Sequence, residues 1–294
     1  MATLDRTIEA FLAAREYDRA TMARLRFWSE QFGDRELADI TADEVDAAVI
    51  RLAERGRLQP IRNGATTKVG RPLSGATINR HISQLQSIYK YARRLRLLPR
   101  NHTPPTAGIE KSPEIPDPNR YLRPEEVERL IRVARLLDRR WKRLPAMIVV
   151  AFHTGLRVGN IQDLRWKDVD LDARTATVAR TKNGRPHVAA LSDRAVKALS
   201  EIPKPHHPDD RIFGNSHGGR YQFRRLWDTV CTEAGLPGRN FHQLRHGCGA
   251  ALASAGVNQA QIMQVMGHQT LTASARYIHA NTSDKQRVVD AVFS

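Results

Sequence analysis

Across the first hundred residues apolar side chains return every three or four positions, the spacing that lays one face of a helix against a core. The pattern predicts a helix around residues 4–14, a second on which Met22, Leu25, Trp28 and Phe32 share a buried face, and a third over 43–52. A fourth is predicted over 76–98, with Ile78, Ile82, Leu85, Tyr89 and Ala92 along one side. Arg80, Ser83, Ser87, Lys90 and Arg94 step along a different side of the same helix. One side suits a core, and the other can meet phosphates. Between Leu58 and Leu73 the pattern lapses into a basic stretch with Arg62, Lys68 and Arg71, read as a loop or short hairpin able to reach a polyanion.

Periodicity stops again over 101–119, where Pro104, Pro105, Pro113, Pro116 and Pro118 crowd together. Proline continues neither a helix nor a sheet ladder, so a linker is expected there. Beyond it Pro124 suits a first helical turn, and Val127, Leu130, Ile131, Ala134 and Leu137 mark an amphipathic helix. The next helix spans about 143–153 and stops near Gly155. The period then shortens. Residues 175–180 and 187–191 are strand-like and flank Asn183-Gly184, a hairpin-turn signal. Helical spacing resumes at about 222–234, 242–255, 258–266 and 272–277. The fold class predicted is mainly α with a small antiparallel β-sheet in the C-terminal domain (α+β). Its expected divisions are a helical domain over 1–103, a linker over 104–119, a second domain over 120–280 and a tail over 281–294.

Length agrees with two domains, since 294 residues suffice for two cores. The longest apolar run, residues 146–152, is too short to span a bilayer, and the first residues do not resemble a secretory leader. Two cysteines, Cys231 and Cys248, are too few for a disulfide framework or a four-thiolate zinc site, so a cytoplasmic location is expected. Lys and Arg outnumber Asp and Glu by 47 to 31. The excess is local: residues 1–50 hold 6 basic and 11 acidic side chains, whereas residues 51–100 hold 12 basic ones against Glu54 alone. A concentrated cationic patch displaces counterions from a phosphate backbone, so double-stranded DNA is the expected partner.

Four short patterns in the second domain carry cationic or protonatable groups. They are His153-Thr-Gly-Leu-Arg157, Thr181-Lys182-Asn183-Gly184, His242-Gln-Leu-Arg245-His246, and Gly267-His268 with Tyr277 nine residues after the histidine. Attack on a phosphodiester gathers charge on the non-bridging oxygens, and two planar guanidinium forks answer that need better than lysine. Tyrosine becomes a usable nucleophile once nearby cations or a base favour its phenolate. A lysine on the hairpin can protonate the leaving alkoxide. His242 and His246 are four apart, as in a zinc-protease helix, but Gln243 stands where that motif needs glutamate, so no metal site is expected. His246 and His279 are assigned to packing or hydrogen bonding, and Cys248 to a small buried position.

In order and spacing these groups resemble the tyrosine recombinase, or phage integrase, family. Leu-Ser-Gly-Ala-Thr-Ile-Asn-Arg at 73–80 and Ile-Tyr-Lys-Tyr-Ala at 88–92 are also similar to integrases, and residues 1–100 to the family's helical core-binding domain. The resemblance implies that Arg157, Lys182, His242, Arg245, His268 and Tyr277 are the catalytic set, with Tyr277 the nucleophile and His268 holding the phosphate. It implies a two-domain clamp on DNA, a 3′-phosphotyrosyl intermediate, a Holliday junction inside a homo-tetramer, and neither metal nor other cofactor. Val288, Val289, Val292 and Phe293 suggest that the tail docks on a neighbouring subunit. The chain departs from the pattern at Asn160, where members often carry an acid, and in its long 58–73 stretch, which favours a mobile-element integrase. No extra arm-binding domain is expected. Two alternatives stay open, a DNA-relaxing enzyme of the type IB topoisomerase kind and a non-cutting DNA-binding regulator.

Overall fold

The computed structural model describes residues 2–60, 66–68, 70–114, 121–139, 141–179, 186–203, 207–268, 270 and 274, with backbone alone at 59–60 and 66–68. They belong to two compact units, 1–116 and 117–294.

The first unit is helical: α1 (Leu4–Ala13), α2 (Arg19–Phe32), α3 (Ala42–Arg55) and α4 (Gly75–Arg94). A side chain starts each helix, from Thr3, Asp18, Thr41 and Ser74, and Glu44 completes a reciprocal capping box with Thr41. Leu4, Leu25, Trp28, Val45, Leu52, Leu85 and Tyr89 form the core. The two buried aromatics with polar tips are satisfied across the unit. Trp28 Nε1 donates to the His81 carbonyl at 2.8 Å and the Tyr89 hydroxyl to the Leu37 carbonyl at 3.0 Å. Met22 departs from the expected face of α2: it is exposed, and Phe27 is buried instead. Phe27 packs edge-on to Trp28 and to His81, under the Arg55 guanidinium, contacts that periodicity alone does not reveal.

The α4 face expected in the core is buried throughout, but the helix ends at Arg94, four residues early. Arg96 adopts a left-handed conformation and Leu97 N–H closes onto the Ala92 carbonyl, turning the chain while Leu98 stays buried. The 58–73 stretch contains a hairpin, β1 (Leu58–Pro60) antiparallel to β2 (Thr66–Lys68). The proline-rich stretch folds back on α4 as far as residue 114. Asn79 Nδ2 donates to the Ser112 carbonyl, and Ser112 N–H returns a bond to Asn79 Oδ1, both at 2.9 Å.

The second unit is built around one helix. In order it contains α5 (Pro124–Leu137), α6 (Arg143–Thr154), α7 (Val158–Asp163), β3 (Val169–Asp170), β4 (Thr175–Val178), β5 (His187–Ala190), α8 (Asp193–Ser200), α9 (Arg224–Glu233), α10 (Gln243–Ser254) and α11 (Gln259–Val265). Residues 144–151 of α6 are all buried, so the apolar run seen in the sequence is a helix covered on every side. Helices α5, α8 and α10 surround it. The sheet runs β3-β4-β5, antiparallel, with Ala176 opposite Ala189 and Val178 opposite His187.

Three elements, α7, β3 and α8, add to the predicted set; α7 and β3 are too short to show a period, whereas α8 buries Ala195, Ala198 and Leu199 at helical spacing. On α5 the expected core residue Leu137 is exposed, whereas Glu126 is buried as an N-terminal cap that accepts from Arg123 N–H at 2.8 Å. The Asn183-Gly184 turn, the 281–294 tail and, Ser274 apart, the 272–277 helix lie outside the described residues. The architecture is mainly helical with a small antiparallel sheet.

His81 makes the first unit acid-sensitive. Burial, then the charges of Arg55 and Arg24, pull its pKa from 6.5 to about 4, and its Nδ1 has no partner among the described residues. Above pH 6.5 the ring is neutral in both states. Below it the unfolded chain takes a proton that the folded chain refuses, so stability is lost as pH falls toward 4, on the order of 2–3 kcal/mol. Calorimetry of His81→Phe should show a smaller drop in Tm than the native chain between pH 6.5 and 4.5; equal drops would refute this origin.

Candidate active site and nucleic-acid interface

Helix α6 delivers Arg157. Its last turn is closed by Thr154, whose hydroxyl donates to the Val150 carbonyl at 2.6 Å and accepts from Leu156 N–H at 3.2 Å. Gly155 then reverses the chain with φ +64°, and Arg157 stands at the N-cap of α7. A left-handed residue without a side chain is needed here for two reasons. A Cβ would be strained, and it would lie 3.2 Å from Met266 Cγ and 3.3 Å from Cys248 Sγ.

Helix α10 delivers the second arginine. Asn240 organises its start, donating from its backbone to Gln243 Oε1 at 2.9 Å and accepting from His242 N–H at 3.0 Å. His242 is exposed at the helix N-terminus, its ring edge-on to His246, which in turn meets Tyr121. Arg245 is buried at 4% exposure and donates to the Gly155 carbonyl. Gly247 lets the helix sit this deep, since a Cβ there would lie 2.3 Å from the Leu122 carbonyl oxygen. The approach is fixed from outside by Glu126, whose carboxylate meets Arg239 at 3.1 Å just before α10.

The last pattern follows α11. Gly267 is left-handed at φ +60°, and His268 Nδ1 lies 2.7 Å from Ser274 Oγ. The structure therefore brings together the segments that carry Arg157, His242, Arg245 and His268. Lys182 and Tyr277 lie outside the described residues.

Three contributors escaped the sequence reading. Ser274 offered no local signal, and neither did the Glu126–Arg239 pair, whose partners lie 113 residues apart. The sequence marks His187 only as the start of a strand. Its ring packs against Gly267 and is in hydrogen-bond contact with the Val265 backbone. Burial first, then the charges of Arg245 and Arg157, hold its pKa below the ordinary histidine value, so a neutral imidazole stands within the field of both guanidinium groups. Burial also raises both thiols to about 12, which leaves Cys231 and Cys248 as protonated packing groups. Among the described residues no cluster of three or more His, Cys, Asp or Glu could hold a metal ion.

In the first unit the five α4 residues expected at DNA, Arg80, Ser83, Ser87, Lys90 and Arg94, are all exposed. Ser83, Ser87, Lys90 and Arg94 line a groove of about 1400 Å³ that also gathers Arg15, Arg93 and Arg100. Phe11 and Tyr17 stack at 4.7 Å in its wall, with the Arg15 guanidinium over the Tyr17 ring. Arg93 lies on α4 beside Arg94, outside the three-and-four step that singles out the other five, while Arg15 and Arg100 come from segments before and after that helix. Arg71 is exposed; Arg62 and the Lys68 side chain lie outside the described residues.

The phage integrase family model matches residues 120–284, more than half of the chain. The integrase of Salmonella phage P22 is 25% identical over 92% of this chain and 74% of its own length. A tyrosine recombinase XerC from Roseiflexus sp. (strain RS-1) is 24% identical over 96% of this chain and 91% of its own. Among solved structures, the Tn1549 transposon integrase in complex with a circular intermediate DNA superposes with a TM-score of 0.75 at 17% identity, covering 99% of this chain and all of that one. The chain belongs to the phage integrase family, the tyrosine-type site-specific DNA recombinases. That membership favours strand exchange over the DNA-relaxing and non-cutting alternatives. No described helix is long and apolar enough to cross a membrane.

Gly155→Ala tests the meeting point. The left-handed φ and the crowding by Met266 and Cys248 should cost about 1–3 kcal/mol. Thermal denaturation should show Tm lowered by several degrees, whereas Gly159→Ala, with nothing within 4 Å of its Cβ position, should change far less.

Proposed function

We propose that Tyr277 attacks a scissile phosphate in duplex DNA, with Arg157, Lys182, His242, Arg245 and His268 as the other members of the active site. The phenol oxygen forms a bond to phosphorus as the bond to the 5′ oxygen breaks, leaving a 3′-phosphotyrosyl link and a free 5′-hydroxyl. His242 serves the proton transfers, taking up the phenol proton, and Lys182 protonates the departing oxygen. Arg157 and Arg245 neutralise the charge that builds on the non-bridging oxygens, and His268 holds the phosphate. A 5′-hydroxyl of a partner strand then reverses the chemistry, and two such rounds pass through a Holliday junction in a homo-tetramer. Bond energy is kept in the covalent link, so the reaction needs no nucleotide cofactor.

The observation that carries this reading is the bond from the Arg245 guanidinium to the Gly155 carbonyl, which places the second arginine against the turn that presents the first. We assign residues 1–103 to core-site binding, 104–119 to the connection, 120–280 to catalysis and 281–294 to docking on a neighbouring subunit. The basic groove and α4 contact the phosphate backbone, with Arg62, Lys68 and Arg71 reaching DNA from the hairpin stretch. DNA as substrate and two protonated buried thiols fit action in the cytoplasm.

A nicked duplex carrying the crossover site from DNA flanking the gene tests the chemistry. The native chain should be trapped covalently, Tyr277→Phe should abolish the trap, and Arg245→Lys should slow it by roughly 10²–10³-fold, because charge survives but the planar fork does not. Removing residues 284–294 should spare cleavage and impair synapsis. A Tyr277→Phe chain that still forms the adduct would refute the assignment. For the interface, Lys90→Ala and Arg94→Ala should each weaken binding to any sequence and reduce the salt slope by about 0.9, measured by fluorescence anisotropy against salt concentration.

A further inference from the structure

His187 joins two of the active-site segments without belonging to any of the four patterns. It opens β5, opposite Val178, and so stands at the described end of the hairpin whose connection carries Lys182. Across from it lies the end of α11. Gly267 presents bare backbone to the imidazole, where a Cβ would come within 3.1–3.2 Å of three ring atoms. The Val265 backbone, two residues earlier, is within hydrogen-bond contact of the same ring.

Two further facts speak against a purely space-filling role. The Nε2 atom is buried with no partner among the described residues, a cost that an apolar side chain of similar size would not carry. The ring also lies in the field of Arg157 and Arg245, where a cationic side chain would be repelled. A neutral, planar donor satisfies the site; Lys or Arg would not.

We propose that His187 is a positioning residue for strand cleavage, whose ring N–H holds the start of β5, five residues after Lys182 in the sequence, in register with the Gly267-His268 segment through the Val265 carbonyl. The proposal rests on the assignment of Lys182 as the acid for the leaving oxygen. Without this link β4 and β5 still pair, but the start of β5 is no longer tied to the Gly267-His268 segment. The loss should then fall on protonation of the 5′ oxygen and not on DNA binding.

The test compares His187→Phe, which keeps the ring and lacks the donor, with His187→Asn and His187→Gln, which offer amide donors at two reaches. Single-turnover cleavage of the nicked duplex is measured at saturating protein beside affinity for the same DNA. His187→Phe should cleave about 10- to 100-fold more slowly with affinity within twofold of native, and at least one amide variant should recover most of the rate. A second duplex with sulfur in place of the 5′ bridging oxygen has a leaving group that needs no acid, so on it the defect should largely vanish.

A native rate for His187→Phe, failure of both amides, or an equal defect on the sulfur-bridged duplex would each overturn the proposal. If His187→Phe melts too low to assay, the amide pair on the two duplexes decides by the same criteria. If the native chain forms no Tyr277 adduct, it is the underlying assignment of the active site that fails.

Discussion

A permanent positive charge buried at 4% exposure has to be answered locally, and the answer organises the second unit. Arg245 gives part of its guanidinium to the Gly155 carbonyl. That oxygen is available because α6 stops at Gly155, and α6 is fixed because its apolar side chains are covered on every side. Hydrophobic burial of one helix thereby sets the place of a charged pair. Its energy is spread over many contacts, so the pair is held by the whole core and not by one bond.

Glycines mark where the segments meet. Gly155 touches the positions of Met266 and Cys248, Gly247 lies against the Leu122 backbone, and Gly267 faces the His187 ring. In each case the neighbour occupies the space a side chain would take, so backbones approach closely enough for short polar groups to converge. The electrostatic result is a site lined by cations, in which an uncharged His187 adds polarity without adding repulsion. Such an arrangement suits a polyanionic substrate.

The first unit solves a different problem with one helix. Helix α4 puts Ile78, Ile82, Leu85, Ile88 and Tyr89 into the core while Arg80, Lys90 and Arg94 remain in water. Cation density in the groove rises because Arg93 adds to Arg94 on α4 itself while Arg15 and Arg100 arrive from other segments. Long-range placement sharpens what the helix period begins.

Period and spacing determined a good deal unaided. The long helices, the stop at Gly155, the two main strands and the four cationic patterns were legible because each is written within a few neighbouring residues. Met22, Leu137 and the early end of α4 were misjudged, since a helix period says which residues share a side but not where the covered side stops. The short elements α7 and β3 were invisible for want of length. Tertiary structure alone decided that Arg245 reaches Gly155 across 90 residues of chain, that Glu126 meets Arg239 across 113, and that the His187 ring faces Gly267. Those partners are chosen by how helices pack around α6, and packing depends on shapes contributed from the whole unit.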